Sequence, residues 1–135
     1  MGVADEIVLG LVLHLDPDVL EAQGSTVTGP SATRVRGPHF FMCVGLGDTP
    51  SAGGTWLPLF SEQGVGRVAV DKTTAYGHPK WKDGDSYYHP AQVWTATHGA
   101  VATAAQAGGD LSKPGSRNGM AADALPVIGS SEDRP

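Results

Sequence analysis

Between residues 34 and 95 the chain runs as a series of short apolar segments, RVRGPHFFMCVG, TWLPLFS, VGRVAV and SYYHPAQVWT, separated by glycine-rich turns. Val, Phe, Tyr and Trp dominate these segments, and none sustains a helical period, so the pattern dictates short β-strands. The same stretch holds all three Trp, all three Phe, all three Tyr, the single Cys and six of the nine basic residues. The core is therefore expected here, in a small barrel. Nineteen Gly and ten Pro in 135 residues suit one all-β domain with many turns.

Flanking segments complete the reading. EIVLGLVLHL (6–15) is a continuous apolar run whose length and β-branched content favour a strand buried on both faces. A nearly closed barrel in a dimer, or a helix laid across the strand, would provide that burial. Asp16-Pro17-Asp18 turns the chain, and 19–33 reads as a long loop with a helical turn at VLEA. VRGPHFFMCVGL (35–46) is the strongest strand candidate, and GDTPSAGG (47–54) is a turn. In TWLPLFS (55–61) Pro58 restricts the strand to an edge or a bulge. GRVAVD (66–71) is a short strand with Val68 and Val70 on one face. TAYGHPKWKDGD is an exposed aromatic-basic loop, and SYYHPAQVWT is the final strand or one entered through a turn. Alanine-rich TATHGAVATAAQAGG predicts a helix of about three turns. The expected fold is thus mainly β, a barrel of five to six strands with one C-terminal helix over 1–107. A flexible tail is expected over 108–135, whose patch ALPVI (124–128) is able to dock.

Charge is unevenly spread. Residues 1–33 carry five acidic groups and no basic one, whereas 34–82 carry six basic groups against three acidic ones. Such a local excess can make a basic surface for a phosphate-bearing partner on a protein of net charge −5, or it can be ordinary solvated charge. One cysteine excludes an internal disulfide framework and a Cys-based zinc cluster. Asp5 and Glu6 precede the apolar run with no basic region before it, and the nine residues of IVLGLVLHL are too few to cross a bilayer. The expectation is a soluble cytoplasmic protein with no membrane association.

Five scattered histidines contain no HxH or HExxH pair, so metal binding by His39, His78 and His89 would need convergence in space. No metal or other cofactor is expected. Ser61 lacks the glycines of a nucleophile elbow, and GVG at 64–66 lacks the context of a phosphate cradle. Arg34 and Arg36 enter the strand RGPHFFMCV (36–44) from a flexible loop, which sets guanidinium groups at the rim of the barrel. There they are able to grip a phosphate or stabilise its developing charge. Trp56 and Trp94, inside apolar strands, are assigned to packing. Trp81, between Lys80 and Lys82, is expected to be exposed and able to stack on an unpaired base.

The order of these pieces, EIVLGLVLHLDPDVLEAQG, RVRGPHFFMCVG, WLPLFS and SYYHPAQVWT, resembles the PemK/MazF family over about ninety residues. These are the SH3-like barrel toxins of bacterial toxin–antitoxin pairs. The resemblance implies a metal-independent endoribonuclease acting on single-stranded RNA, in which the ribose 2′-OH attacks the adjacent phosphate. It implies a homodimer and an antitoxin partner. Carried onto this chain, the catalytic arginine corresponds to Arg36, with Arg34 as a register alternative, and the hydroxyl to Ser61. Arg34, His39, Lys80, Trp81 and Lys82 are the expected substrate-binding residues. The chain departs from the family pattern at Phe60, where a threonine is usual, and in the longer loop before Arg36. A Phe there implies altered specificity, or a non-catalytic barrel that binds protein or nucleic acid without cutting.

Overall fold

The computed structural model describes residues 7–29, 34–47, 49, 53–77, 79–107 and 118–126. The fold is mainly β. Eight short strands are present among the described residues: β1 (Leu11–Leu15), β2 (Thr26–Val27), β3 (His39–Leu46), β4 (Gly54–Pro58), β5 (Val68–Ala69), β6 (Tyr87–Tyr88), β7 (Trp94–Ala96) and β8 (Asn118–Gly119). Helices α1 (Pro17–Ala22), α2 (Pro79–Lys82) and α3 (His98–Ala107) complete it, with a 3-10 turn at Ala122–Ala124. Six strands form one antiparallel sheet in the order β2-β7-β4-β3-β1-β8, and β5 pairs with β6 in a second.

Side-chain alternation on the three central strands explains why their sequences lack a polar face. Leu11, Leu13 and Leu15 of β1, Phe41 and Cys43 of β3 and Trp56 of β4 enter one core with Leu20, Val101, Ala104 and Ala105 of the helices. Val12, Met42 and Leu57, from the same strands, enter a second core with Leu59, Val70, Trp81, Tyr88 and Met120. Each strand is buried on both sides, so each reads as a continuous apolar run. Of the two expected ways of covering β1, a helix across the sheet is the one realised on the first face.

Both helices carry their own signals. Asp16 caps α1 by accepting from the Asp18 amide at 2.9 Å, with Pro17 in the first helical position. Asp16-Pro17-Asp18 therefore starts a helix rather than a simple turn. Thr97 Oγ1 accepts from the Ala100 amide at 3.1 Å and caps α3. The small buried residues Ala100, Ala104 and Ala105 let α3 lie close on the first core.

The second sheet is joined to the first at two points. Phe60 and Tyr87 exchange backbone hydrogen bonds of 2.8 Å, just past the end of β4, and the Leu59 amide donates to Phe40. Tyr76 and Gly119 exchange bonds of 2.9 and 3.0 Å, linking the chain after β5 to β8. Pro58 is tolerated inside β4 because β7 pairs only with Gly54–Trp56, which leaves Pro58 a neighbour on the β3 side alone. A register shift between Cys43 and Gly45 marks a bulge in β3.

Several expectations are corrected. The strand expected over 6–15 is confined to Leu11–Leu15, because Gly10, at φ 89°, turns the chain. Its missing Cβ also admits the Met120 carbonyl, which a larger residue would strike. SYYHPAQVWT is two strands in two sheets, broken by the turn that the Gln92 amide closes onto the His89 carbonyl at 2.9 Å. Val68 stays exposed while Val70 is buried, since β5 ends at Ala69. Within the stretch expected as a tail, Asn118–Gly119 pairs with Leu11 and Val12, and Met120 is buried in the second core. Residues 108–117 and 127–135 of that stretch lie outside the described residues, as do 48 and 50–52 of the turn at 47–54 and His78 of the three-histidine metal set. Among the described residues no helix is long and apolar enough to cross a membrane.

Candidate functional site

The start of β3, the end of β4 and the segment around α2 enclose a cleft of about 260 Å³. His14 from β1, His39 and Phe40 from β3, Phe60 and Ser61 beyond β4, and Lys80, Asp85 and Ser86 from the α2 segment line it. Three residues expected at a site from sequence, His39, Ser61 and Lys80, are therefore brought together.

Nδ1 of His39 lies 2.8 Å from the Pro38 carbonyl and 3.2 Å from that of Gly37. Carbonyls only accept, so the tautomer that fits carries its hydrogen on Nδ1, and in its neutral form that tautomer has its lone pair on Nε2. That is the arrangement of a general base oriented by its backbone. The ring meets Phe60 edge-on, with centroids 5.7 Å apart, and His14 meets Phe40 in the same manner at 5.2 Å. Apolar faces thus hold both imidazoles in place.

Phe60 is itself a platform. Its ring carries the Arg67 guanidinium, whose Cζ lies 3.8 Å from the ring centroid. Arg67 Nη1 donates to the Glu62 carbonyl at 2.8 Å, closing the turn that follows Ser61. Arg67 was missed in the sequence because no local pattern pairs it with Phe60, seven positions earlier; only the turn that the Arg67 amide closes onto the Gly64 carbonyl, at 3.0 Å, brings the chain back.

The other expected cations lie elsewhere. Arg34 and Arg36 line a separate pocket of about 310 Å³ with Asp18, Glu21, Val35 and Gly37. Arg34 is half-buried and faces Glu21 at 3.7 Å, while Arg36 is exposed. Val35 between them is buried, and its amide donates to Gln92 Oε1 at 2.9 Å. Gln92 Oε1 also accepts from Trp94 Nε1 at 3.2 Å, which fastens the RVR segment to β7. The carboxylates of Asp18 and Glu21 oppose an anion in that pocket.

Trp81 is not an exposed stacking face. It is fully buried, and its Nε1 donates to the Gly119 carbonyl at 3.1 Å. Residues 79–82 form α2, which turns the tryptophan inward while Lys80 and Lys82 remain exposed; Lys82 lies 3.7 Å from Asp83. Lys72 sits over the Trp81 ring and donates to the Trp81 carbonyl and, at 2.6 Å, to that of Gly84. Burial pulls its ammonium below the ordinary lysine value, against the attraction of Asp85 and Asp83. Trp56 and Trp94 are core residues, as expected. Of the tyrosines, Tyr76 is the exposed one.

Comparison of the chain with protein-family models, with curated proteins and with solved structures found no match.

Proposed function

We propose that this chain is an endoribonuclease that cleaves single-stranded RNA without a metal, built on an SH3-like barrel of the PemK/MazF type. The observation that carries the reading is the convergence of His39, Ser61 and Lys80 in one cleft, with the lone pair of His39 on Nε2. In this mechanism Nε2 accepts the proton of the ribose 2′-OH as that oxygen attacks the adjacent phosphorus. The bond from phosphorus to the 5′-oxygen breaks, and the departing oxygen takes a proton from protonated His14, which lines the same cleft. Lys80 offsets the charge on the non-bridging oxygens, and Ser61 donates to one of them. The products are a 2′,3′-cyclic phosphate and a free 5′-OH, so the proton gained at one centre is returned from another and no co-reactant is consumed.

Arg36 lines a different pocket, beside Asp18 and Glu21, and in this reading it does not serve at the reacting centre. The partners that follow from the reading are single-stranded RNA, a second copy of the chain and an antitoxin protein, in the cytoplasm. Incubation of the purified chain with a mixed single-stranded RNA in chelator tests it. Fragments ending in cyclic phosphate are expected; intact RNA at micromolar protein would overturn it. Retained RNA without cleavage would favour the non-catalytic barrel that Phe60, in the threonine position, suggests.

A further inference from the structure

We propose that Arg67, rather than Arg36, is the residue that grips the substrate phosphate at the cleft, a proposal that rests on the nuclease reading. Arg67 is not itself a lining residue of the cleft, and three observations bring it beside one. Its guanidinium lies on the ring of Phe60, which does line the cleft, and that same ring makes a T-shaped contact with His39. One N–H is committed to the Glu62 carbonyl, which holds the plane of the fork and leaves the remaining donors for another acceptor. No carboxylate lies within 4 Å of it among the described residues, whereas Arg34 is paired with Glu21 and Lys82 with Asp83.

These features are those of a preorganised anion clamp. A guanidinium stacked on an aromatic face has little rotamer freedom left to lose on binding, and its planar fork matches two phosphate oxygens. The arrangement also gives Phe60 a purpose. A threonine could donate one hydrogen bond from that position, but it offers no face on which a charge can rest. The apolar residue therefore supplies charge indirectly, through Arg67.

The test uses the full chain and a single-stranded RNA oligonucleotide with 2′-O-methyl riboses, which binds but lacks the attacking hydroxyl. Affinity is measured by fluorescence anisotropy across a salt series, beside the KM for cleavable RNA. Arg67→Gln is expected to weaken binding and raise KM about tenfold, and to lower the log–log salt slope by about 0.7, the loss of one single-strand phosphate contact. Arg67→Lys is expected to keep the slope and lose affinity severalfold, because the charge stays and the fork goes. It also decides the matter if Arg67→Gln does not fold. A merely structural arginine would lower the melting temperature of both variants while Arg67→Gln kept the wild-type slope and Arg67→Lys the wild-type affinity, and that result overturns the proposal while the nuclease reading stands. Wild-type binding without cleavage overturns the nuclease reading alone, and the slope still decides Arg67. Absence of wild-type binding overturns both.

Discussion

The ammonium of Lys72 lies 3.9 Å from the centroid of the Trp81 ring and closes onto the carbonyls at the end of the short helix that carries that tryptophan. One side chain thereby fixes both the second core and the segment that delivers Lys80 and Asp85 to the cleft. The four residues of α2 are too few to hold a helix by propensity, so this anchor sets their conformation.

Lys72→Met is expected to destabilise the protein by about 2 kcal/mol, the combined loss of a cation–π contact and charged hydrogen bonds at a half-buried site. Urea unfolding followed by tryptophan fluorescence measures it. Lys72→Arg should recover part of the loss. A Lys72→Met midpoint equal to wild type would contradict the anchoring role.

Gln92 is buried, and its Oε1 satisfies two donors, the Val35 amide and the Trp94 indole. Replacement by leucine keeps the size but strands both donors, at a cost of about 3 kcal/mol. Thermal or urea unfolding reads this directly, and faster amide exchange at Val35 should accompany it.

His39→Asn is expected to lower kcat for RNA cleavage by about 10² to 10⁴-fold, the usual share of a general base. Arg36→Ala should cost less, because Arg36 lines a different pocket from His39. Single-turnover cleavage by the two variants beside wild type makes the comparison. A larger loss at Arg36 would return the reacting centre to the RVR segment.

Burial pushes the Cys43 thiol from 9.0 up to about 11. Below pH 9 the thiol is neutral in folded and unfolded chains alike, and it contributes no pH dependence. Between 9.0 and about 11 the unfolded chain releases a proton that the folded one retains. Stability therefore falls as pH rises through that window, by up to about 1.4 kcal/mol per pH unit. Denaturation midpoints of wild type and Cys43→Ala should diverge there and nowhere below it. The native thiol should also resist a disulfide reagent at pH 8 until the chain unfolds.

What a local pattern can encode was readable along the chain. The runs expected as strands at 35–46 and 55–61 contain β3 and most of β4, and the alanine-rich segment from Thr95 contains α3. The reason is that strand and helix signals reside in neighbouring side chains and caps. Asn118–Gly119 gave no such signal: a strand of two turn-forming residues exists only because the edge of β1 and the backbone of Tyr76 receive it. Trp81 misled for a related reason, since its lysine neighbours describe the exposed side of α2 and not the side that the tryptophan occupies.

The candidate site divides along the same line. The basic pair around Trp81 drew attention to Lys80, whereas Ser61 was singled out only by the resemblance in motif order. Which of the expected residues meet was decided by the tertiary structure: the Phe60–Tyr87 bridge brings the end of β4 against the α2 segment, and the loop from Ser61 to Arg67 lays a guanidinium on Phe60. The sequence by itself determined a mainly β chain with strands buried on both faces. Only the packing of those strands, through contacts between residues far apart in the chain, decided that Arg34 faces Glu21 while Arg67 rests on the ring of Phe60.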